Sequence, residues 1–143
     1  GLAWFELKGY RLAISDFDKA LEIKPEYVLV YEYRGNTKLQ LDDYQGAIDD
    51  LNLALELTTE NPYIYLKLGT AKYELKNYKG AISDLNQAIS LDADKDYLSI
   101  SYLLLGAIKQ EHMDDLKGAC SDLQRSASLG NKDAAKYVEE ECQ

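Results

Sequence analysis

The sequence is poor in the residues that break helices and in those that build catalytic or metal sites. Its 143 residues include two prolines, two cysteines and a single histidine, His112. Few prolines favour long helices over a sheet protein with many turns. A lone histidine excludes most catalytic triads and most histidine-based metal sites, so we expect no enzymatic activity, no cofactor and no bound metal.

Positive charge and long apolar runs are also scarce. Sixteen lysines and arginines stand against 25 aspartates and glutamates, which gives a formal net charge of −9. An acidic chain repels phosphate backbones, and this argues against nucleic acid as a partner. No apolar run reaches the roughly 18 residues of a membrane span, so membrane insertion is not expected. The compartment stays open: the cytoplasm is slightly favoured, with a missing N-terminal targeting segment as the alternative.

The two cysteines do not form a recognisable ligand set. Cys120 and Cys142 are 22 residues apart, which is neither a metal-binding spacing nor a disulfide framework. We interpret them as one thiol packed in a helix and one near a frayed end, and whether they ever pair stays open.

What the sequence does contain is self-similarity at a period of 34 residues. Each unit has the pattern of two amphipathic helices separated by a polar break. Asn61 and Pro62 supply a helix cap and a first helical residue, and we expect Pro25 to start the second unit in the same way. The positions that recur include Gly1, Gly35 and Gly69; Tyr10, Tyr44 and Tyr78; Ala13, Ala47 and Ala81; and Asp16, Asp50 and Asp84.

These positions resemble the tetratricopeptide repeat, a 34-residue helix–turn–helix unit. In the third unit its characteristic slots hold Tyr65, Leu68, Gly69, Ala81, Leu85 and Ala88. The resemblance implies an all-α fold, a right-handed α-α superhelix (solenoid) of antiparallel helix pairs. It implies about 3.5 such units and a C-terminal capping helix.

We expect one domain over residues 1–143, in which the fourth unit is extended. Gly69 and Gly106 are 37 residues apart, and Tyr78 and Leu116 are 38 apart. About one helical turn is therefore added before the glycine and one residue after it. This length resembles the related Sel1-like repeats. The expected boundaries are 1–27 for a truncated repeat 1, 28–61 for repeat 2, 62–95 for repeat 3, 96–130 for repeat 4 and 131–143 for the capping helix.

The first unit departs from the pattern because the chain opens at its glycine slot. Residues 1–8 are expected to be the second half of a first helix, within a fragment of a longer array. Its edge would expose Leu2, Trp4 and Phe5, whereas a terminal repeat normally has a polar cap. We expect this edge to pack against another copy or against an upstream repeat that is missing.

Two further features have structural interpretations. The run from Asp92 to Asp96 resembles the start of a calcium loop, but Tyr97 and Leu103 stand where the loop needs glycine and glutamate. We interpret it as a turn between repeats with an acidic helix start. His112 is interpreted as a solvated residue of the polar turn in unit four.

The resemblance implies a protein–protein interaction scaffold, because first helices line the concave side of such arrays. The candidate groove is apolar and aromatic with a line of acids, which suits a peptide or protein segment with apolar anchors and Lys or Arg. The alternative is a structural spacer or a self-association element of a larger multi-repeat protein. A carboxylate clamp for chaperone tails is not assembled, since Glu32 occupies a lysine slot. The groove candidates are Phe5, Glu6, Leu29, Glu32, Asn36, Leu39, Gln40, Tyr63, Leu66, Thr70, Tyr73, Glu74, Ile100, Leu103, Ala107, Gln110 and Glu111.

Overall fold

The computed structural model describes residues 4–58, 60–91 and 94–142, apart from the side chain of residue 5. Within those ranges the chain forms helices and turns and no strand, which confirms the expected all-α fold of paired helices. The chain divides after Glu60 into two compact units, with three helices in the first and five in the second. The helices are α1 Trp4–Ile23, α2 Val28–Gln40, α3 Tyr44–Leu57, α4 Pro62–Glu74, α5 Tyr78–Ser90, α6 Lys95–His112, α7 Leu116–Ser128 and α8 Lys132–Glu141.

The turns inside the helix pairs α2–α3, α4–α5 and α6–α7 share one construction. In each, a residue with positive φ is followed by a capping side chain that accepts a hydrogen bond from a glycine N–H three residues later. That cap starts the second helix of the pair. The positive-φ residues are Asp42, Lys76 and Asp114, and the caps are Asp43 on Gly46 at 3.0 Å, Asn77 on Gly80 at 3.1 Å and Asp115 on Gly118 at 2.8 Å.

The corresponding break is absent from α1, where we expected residues 1–8 to end a first helix. Instead α1 runs without interruption from Trp4 to Ile23, so the expectation is wrong for residues 4–8, and residues 1–3 lie outside the described ranges. The reason is local chemistry. Gly9 occupies the capping slot and has no side chain to accept a hydrogen bond, while Leu12 stands at the slot of the recurring glycine.

In the same three helix pairs, a leucine of the second helix packs onto a glycine of the first helix, and we call this contact a notch. A Cβ atom on the glycine would lie 3.0 Å from the leucine Cγ in the pair Gly35–Leu51, 2.8 Å in Gly69–Leu85 and 2.6 Å in Gly106–Leu123. The three leucines are at most 3% exposed. The missing side chains therefore let the helix axes approach closely.

The fourth repeat has the predicted extra length. Its first helix, α6, has 18 residues, whereas α4 has 13. Gly106 lies eleven residues after the start of α6, and Gly69 lies seven after the start of α4. Six residues of α6 follow Gly106 and five residues of α4 follow Gly69. The addition is thus one turn before the glycine and one residue after it, as predicted.

The two prolines have different roles. Pro62 is at the start of α4, and Asn61 accepts a hydrogen bond from the Tyr63 N–H at 3.0 Å, which confirms the predicted cap. Pro25 does not start a helix, contrary to our expectation. It lies in the turn between α1 and α2, and α2 begins only at Val28 after Tyr27, which offers no side-chain cap.

A C-terminal helix, α8, follows the fourth repeat and spans Lys132–Glu141. Gly130 adopts a φ of 102° and ends α7, and Asn131 caps α8 by accepting from the Ala134 N–H at 2.9 Å. Ala134 is fully buried, whereas residues 139–141, all glutamates, are exposed.

The cysteines form a disulfide bond, and our interpretation of them as separate thiols is wrong. Cys120 lies on α7, and Cys142 directly follows α8. Each is eleven residues from Asn131, the turn residue between the two helices. In an antiparallel helix pair, residues equidistant from the turn lie side by side, and here the two Cα atoms are 5.7 Å apart.

Candidate peptide-binding faces

The groove candidates fall into two sets, one in each compact unit. In the first unit, Glu6 is exposed on α1, and the remaining described candidates lie on α2. We call them the α2 face: Leu29, Glu32, Asn36, Leu39 and Gln40. In the second unit they lie on the first helices α4 and α6. We call these the α4–α6 face: Tyr63, Thr70, Tyr73, Glu74, Ile100, Leu103, Ala107, Gln110 and Glu111.

The α2 face is a mixture of exposed and half-buried side chains. Leu29 is 49% exposed, and Gln40 is exposed as well. Glu32, Asn36 and Leu39 are half-buried. The candidate Phe5 has a side chain outside the described part of the structure.

On the α4–α6 face, successive repeats bring two candidates together. The Tyr73 hydroxyl donates to the Glu111 carboxylate at 3.5 Å. Burial, together with the charges of Glu111 and Glu74, raises the pKa of Tyr73, so its hydroxyl stays protonated at neutral pH. Glu74 and Glu111 are both exposed, so an aromatic ring here is accompanied by two accessible carboxylates.

Leu66 does not belong to this face, and its prediction as a groove residue is wrong. It is 3% exposed and packs in the core of the second unit with Leu85, Leu105 and Ile108. The side of α4 that carries Leu66 is covered by the next repeat, because α6 packs directly against α4. Ile100, by contrast, is 41% exposed.

Two neighbours of the α4–α6 face were missed from the sequence. The Tyr97 ring lies 5.4 Å from that of Tyr63, centroid to centroid. The Lys67 ammonium lies 5.1 Å from the centroid of the Tyr63 ring, and burial lowers the pKa of Lys67. The spacing could have revealed Lys67, which follows Tyr63 by four residues and so shares its side of α4. Tyr97 comes from the extra first turn of α6, which has no counterpart in the other repeats.

His112 is exposed, as predicted for a solvated residue, but it lies in a helix and not in the turn. It is the last residue of α6, and its ring stacks on that of Tyr78 with a centroid separation of 3.8 Å. Its Nε2 atom also lies 3.4 Å from the Glu111 carboxylate. His112 therefore packs at the end of the helix, one residue from a groove candidate.

Other acidic residues are engaged within the helix pairs and do not contribute to either face. One lysine of each first helix reaches an aspartate of the second: Lys38–Asp50 at 2.8 Å, Lys72–Asp84 at 2.6 Å and Lys109–Asp122 at 2.7 Å. The aspartate side chains are 3–13% exposed. Burial raises the pKa of Asp84, and the bond to Lys72 opposes that rise.

Arg34 adds a second cation to this arrangement in the first unit. It replaces the leucine found at this slot in the next two repeats, Leu68 and Leu105. Its guanidinium lies 2.6 Å from both the Asp50 carboxylate of α3 and the Asp18 carboxylate of α1. The pKa of Arg34 is raised, chiefly by its hydrogen bond to Asp50, so Arg34 remains a permanent cation between three helices.

In the part of the chain that the structure describes, neither a cluster of three potential metal ligands nor a membrane-spanning helix is found. There, no three His, Cys, Asp or Glu side chains are grouped so as to hold a metal ion. Each described helix is too short or too polar to cross a bilayer. Asp94 caps α6 by accepting from the Asp96 N–H at 3.1 Å, as expected of an acidic helix start, whereas residues 92 and 93 lie outside the described ranges.

Two models of known protein families match parts of the sequence. A model described as TPR repeat matches residues 35–76, and a model described as tetratricopeptide repeat matches residues 62–95. No curated protein shows significant similarity to the chain.

Solved structures agree with the fold. A crystal structure of MamA aligns with a TM-score of 0.77 at 26% identity, over 87% of this chain and 71% of that one. The first TPR of Spaghetti (RPAP3), bound to the HSP90 peptide SRMEEVD, aligns at 0.70 and 26% identity, over 81% of this chain and 90% of that one. The N-terminal domain of stress-induced protein-1 from C. elegans aligns at 0.72 and 21% identity, over 81% and 94%, a likeness of fold alone. The chain therefore contains tetratricopeptide repeats, which the family models place over residues 35–95.

Proposed function

We propose that the protein is a protein–protein interaction scaffold whose α4–α6 face binds a peptide or protein segment with apolar anchors and basic side chains. One structural neighbour, the first TPR of Spaghetti, was solved with a bound peptide, which supports a peptide-binding role for this type of fold. The α2 face, with Glu32 among exposed and half-buried side chains, is proposed as a separate binding surface of the first unit. The proposal involves no enzymatic step.

The observation that carries the proposal is the pairing of Tyr73 with Glu111 beside the exposed Glu74. A ligand lysine or arginine can place its charge between the two carboxylates and its aliphatic stem along the tyrosine ring. Ile100 offers exposed apolar surface on the same face. An aromatic and apolar surface edged by acids is complementary to a short segment that alternates apolar and basic residues.

The same residues argue against an acidic ligand. The peptide bound to the Spaghetti domain, SRMEEVD, ends in a run with three acidic residues. Glu74 and Glu111 would repel such a run, and the half-buried Lys67 ammonium is held over the Tyr63 ring. We therefore propose a basic partner and not an acidic chaperone tail.

Binding of two labelled peptides tests this proposal. Both carry the same apolar residues, but one has lysines where the other has glutamates. Glu74→Lys and Glu111→Lys are each expected to weaken the lysine peptide by about three- to tenfold, because each reverses one partly screened charge. The effect should shrink as salt is added.

Glu140→Lys is the matched control, because it reverses an exposed charge of the same unit on α8, away from α4 and α6. Tyr73→Phe removes the hydrogen bond to Glu111 and keeps the negative charge of Glu111. It therefore separates the effect of that charge from the effect of the hydrogen bond. Equal losses in the Glu140 and Glu74 variants, or no preference between the two peptides, would contradict the proposal.

The alternative function, a spacer or self-association element, is favoured by one observation on α1. Trp4 is 66% exposed and Leu12 is 58% exposed, and both line a cleft of about 460 Å³ with Leu7 and Arg11. If this surface joins two copies, light scattering will show a dimer that Leu12→Glu dissociates. A monomer at all concentrations would rule out this form of self-association.

We also propose that the fourth repeat is of the longer, Sel1-like kind, supported by the added turn of α6. Deleting that turn, residues 95–98, then removes an integral part of the unit and should abolish cooperative unfolding of α6 and α7. Retention of a cooperative transition would mark the turn as a dispensable insertion in an ordinary tetratricopeptide repeat.

A further inference from the structure

The disulfide bond joins the body of α7 to the far end of α8. Cys120 is the fifth residue of α7, and Cys142 is the residue that ends α8, its N–H bonded to the Val138 carbonyl at 3.2 Å. Both ends of the short hairpin are therefore fixed: the turn end by the Asn131 cap and the open end by the sulfur bridge.

The bridge is open to solvent. Both cysteines are half-buried and line a cleft of about 550 Å³. Leu116, which is 53% exposed, forms one wall of the cleft, and the charged side chains of Lys117 and Glu141 line it as well. A thiol in solution can therefore reach the sulfur atoms without unfolding of the helices, which a bridge sealed in the core would not allow.

At the far end of α8 the side chains are half-buried or exposed. The helix has ten residues, and among its described residues only Ala134, in the first turn, is buried. Its last turn consists of the exposed residues 139–141, all glutamates. A helix this short is marginal in water unless its packing supports it. The bridge adds a covalent attachment at the open end of this short helix.

We propose that Cys120–Cys142 is a reversible redox modification site, at which a dithiol reductant controls the docking of the end of α8 on α7. A thiolate of the dithiol attacks one cysteine sulfur, the cysteine S–S bond breaks, and the other cysteine leaves as a thiolate. The second thiol of the reductant then attacks the mixed disulfide. The dithiol becomes a disulfide, and its two electrons and two protons pass to the cysteines. This proposal is independent of the peptide-binding role.

The consequence of reduction is local. The first turn of α8 keeps its Asn131 cap and its buried Ala134, whereas residues 138–142 lose their covalent attachment to α7. The α7 surface beneath them becomes accessible. The switch thus changes one end of the second unit and leaves α4, α5 and α6 as they are.

Reduction of the native protein by dithiothreitol tests this proposal, with thiol labelling to count free cysteines and hydrogen exchange to follow single amides. We expect both thiols to appear while the helical circular dichroism changes little. Exchange at residues 138–142 should accelerate at least tenfold, with α5 and α6 unchanged. Reoxidation should restore the original protection. The variant Cys120→Ser, in which no bridge can form, should show the fast exchange without reductant.

Substitutions that change the charge of the cleft test whether the reductant thiolate attacks the disulfide from this cleft. Lys117→Gln is expected to slow reduction about two- to threefold, and Glu141→Gln to accelerate it by a similar factor, because the attacking thiolate is an anion. The proposal is overturned if the thiols appear only under conditions that also unfold α7. It is equally overturned if the end of α8 stays protected after reduction, or if the two charge variants react at the same rate as the original protein.

Discussion

Replacing Gly69 by alanine tests the packing on which each helix pair depends. The new Cβ would lie 2.8 Å from Leu85 Cγ and 2.9 Å from its Cδ2. Carbon atoms that are not bonded prefer separations of about 3.5–4.0 Å, so the leucine must move by more than half an ångström. Leu85 is fully buried in the core, so its movement must displace neighbouring side chains. Overpacking of this kind costs about 1–3 kcal/mol.

The gain in helix propensity works against that cost. Alanine is favoured over glycine inside a helix by about 1 kcal/mol. We therefore expect Gly69→Ala to reduce the free energy of unfolding by up to about 2 kcal/mol. The three notches should rank by their distances, with Gly35→Ala the mildest at 3.0 Å and Gly106→Ala the most severe at 2.6 Å.

Gly9→Ala is the matched control. Gly9 is an exposed residue inside α1, and a Cβ there meets no atom within 4 Å. It should therefore show the propensity gain alone and raise the free energy of unfolding by up to about 1 kcal/mol. Replacing glycine by alanine is thus expected to lower the free energy of unfolding at position 69 and to raise it at position 9.

Urea unfolding followed by circular dichroism measures both free energies. A second variant confirms the contact itself: Leu85→Ala should cost less in the Gly69→Ala background than alone, because the new methyl group occupies part of the cavity. If Gly69→Ala stabilises the protein as much as Gly9→Ala does, the close contact between the two helices is not the reason for the glycine.

Two further predictions concern single side chains of the second unit. Lys72→Gln should destabilise by about 1–2 kcal/mol at pH 7 and by much less at pH 3.5. Because burial raises the pKa of Asp84 above 3.8, its contribution favours folding at low pH and is lost as the pH rises through the folded value. Without Lys72, the stability lost as Asp84 ionises is larger. If Lys72→Gln destabilises the protein equally at pH 7 and pH 3.5, the ion pair does not have this role. Asp115→Ala removes the cap of α7 and should cost about 1 kcal/mol, whereas Asp115→Ser should retain most of the stability, both measured by urea unfolding.

The period of the helix pairs could be predicted from the sequence because it depends on local signals. A glycine at a fixed distance from a leucine forms each notch, and Asn77 or its equivalents start each second helix. The insertion in the fourth repeat followed from the same positions. The continuity of α1 was predictable by the same rule, since Gly9 cannot cap a helix, but the periodic glycine and tyrosine positions concealed it.

The composition of the binding face was harder to predict. Leu66, Lys67 and Thr70 all lie near one side of α4, and the sequence does not show how much of that side the next repeat covers. That depends on the angle at which α6 crosses α4, which is set by packing and not by periodicity. The structure buries Leu66 and leaves Lys67 half-buried beside Tyr63.

The disulfide was overlooked for a different reason. Spacing along the chain excluded a known cysteine motif, whereas the relevant measure was the distance of each cysteine from the turn. Cys120 and Cys142 are equally far from Asn131, and a helix hairpin converts that symmetry into contact.

The uninterrupted α1 shows how little separates one long helix from two short ones. The other repeats carry Asp43, Asn77 or Asp115 at this slot, so a carboxylate or amide at position 9 would supply the cap that starts a second helix. The number of helices in such an array is therefore set by point substitutions as well as by duplication of whole units.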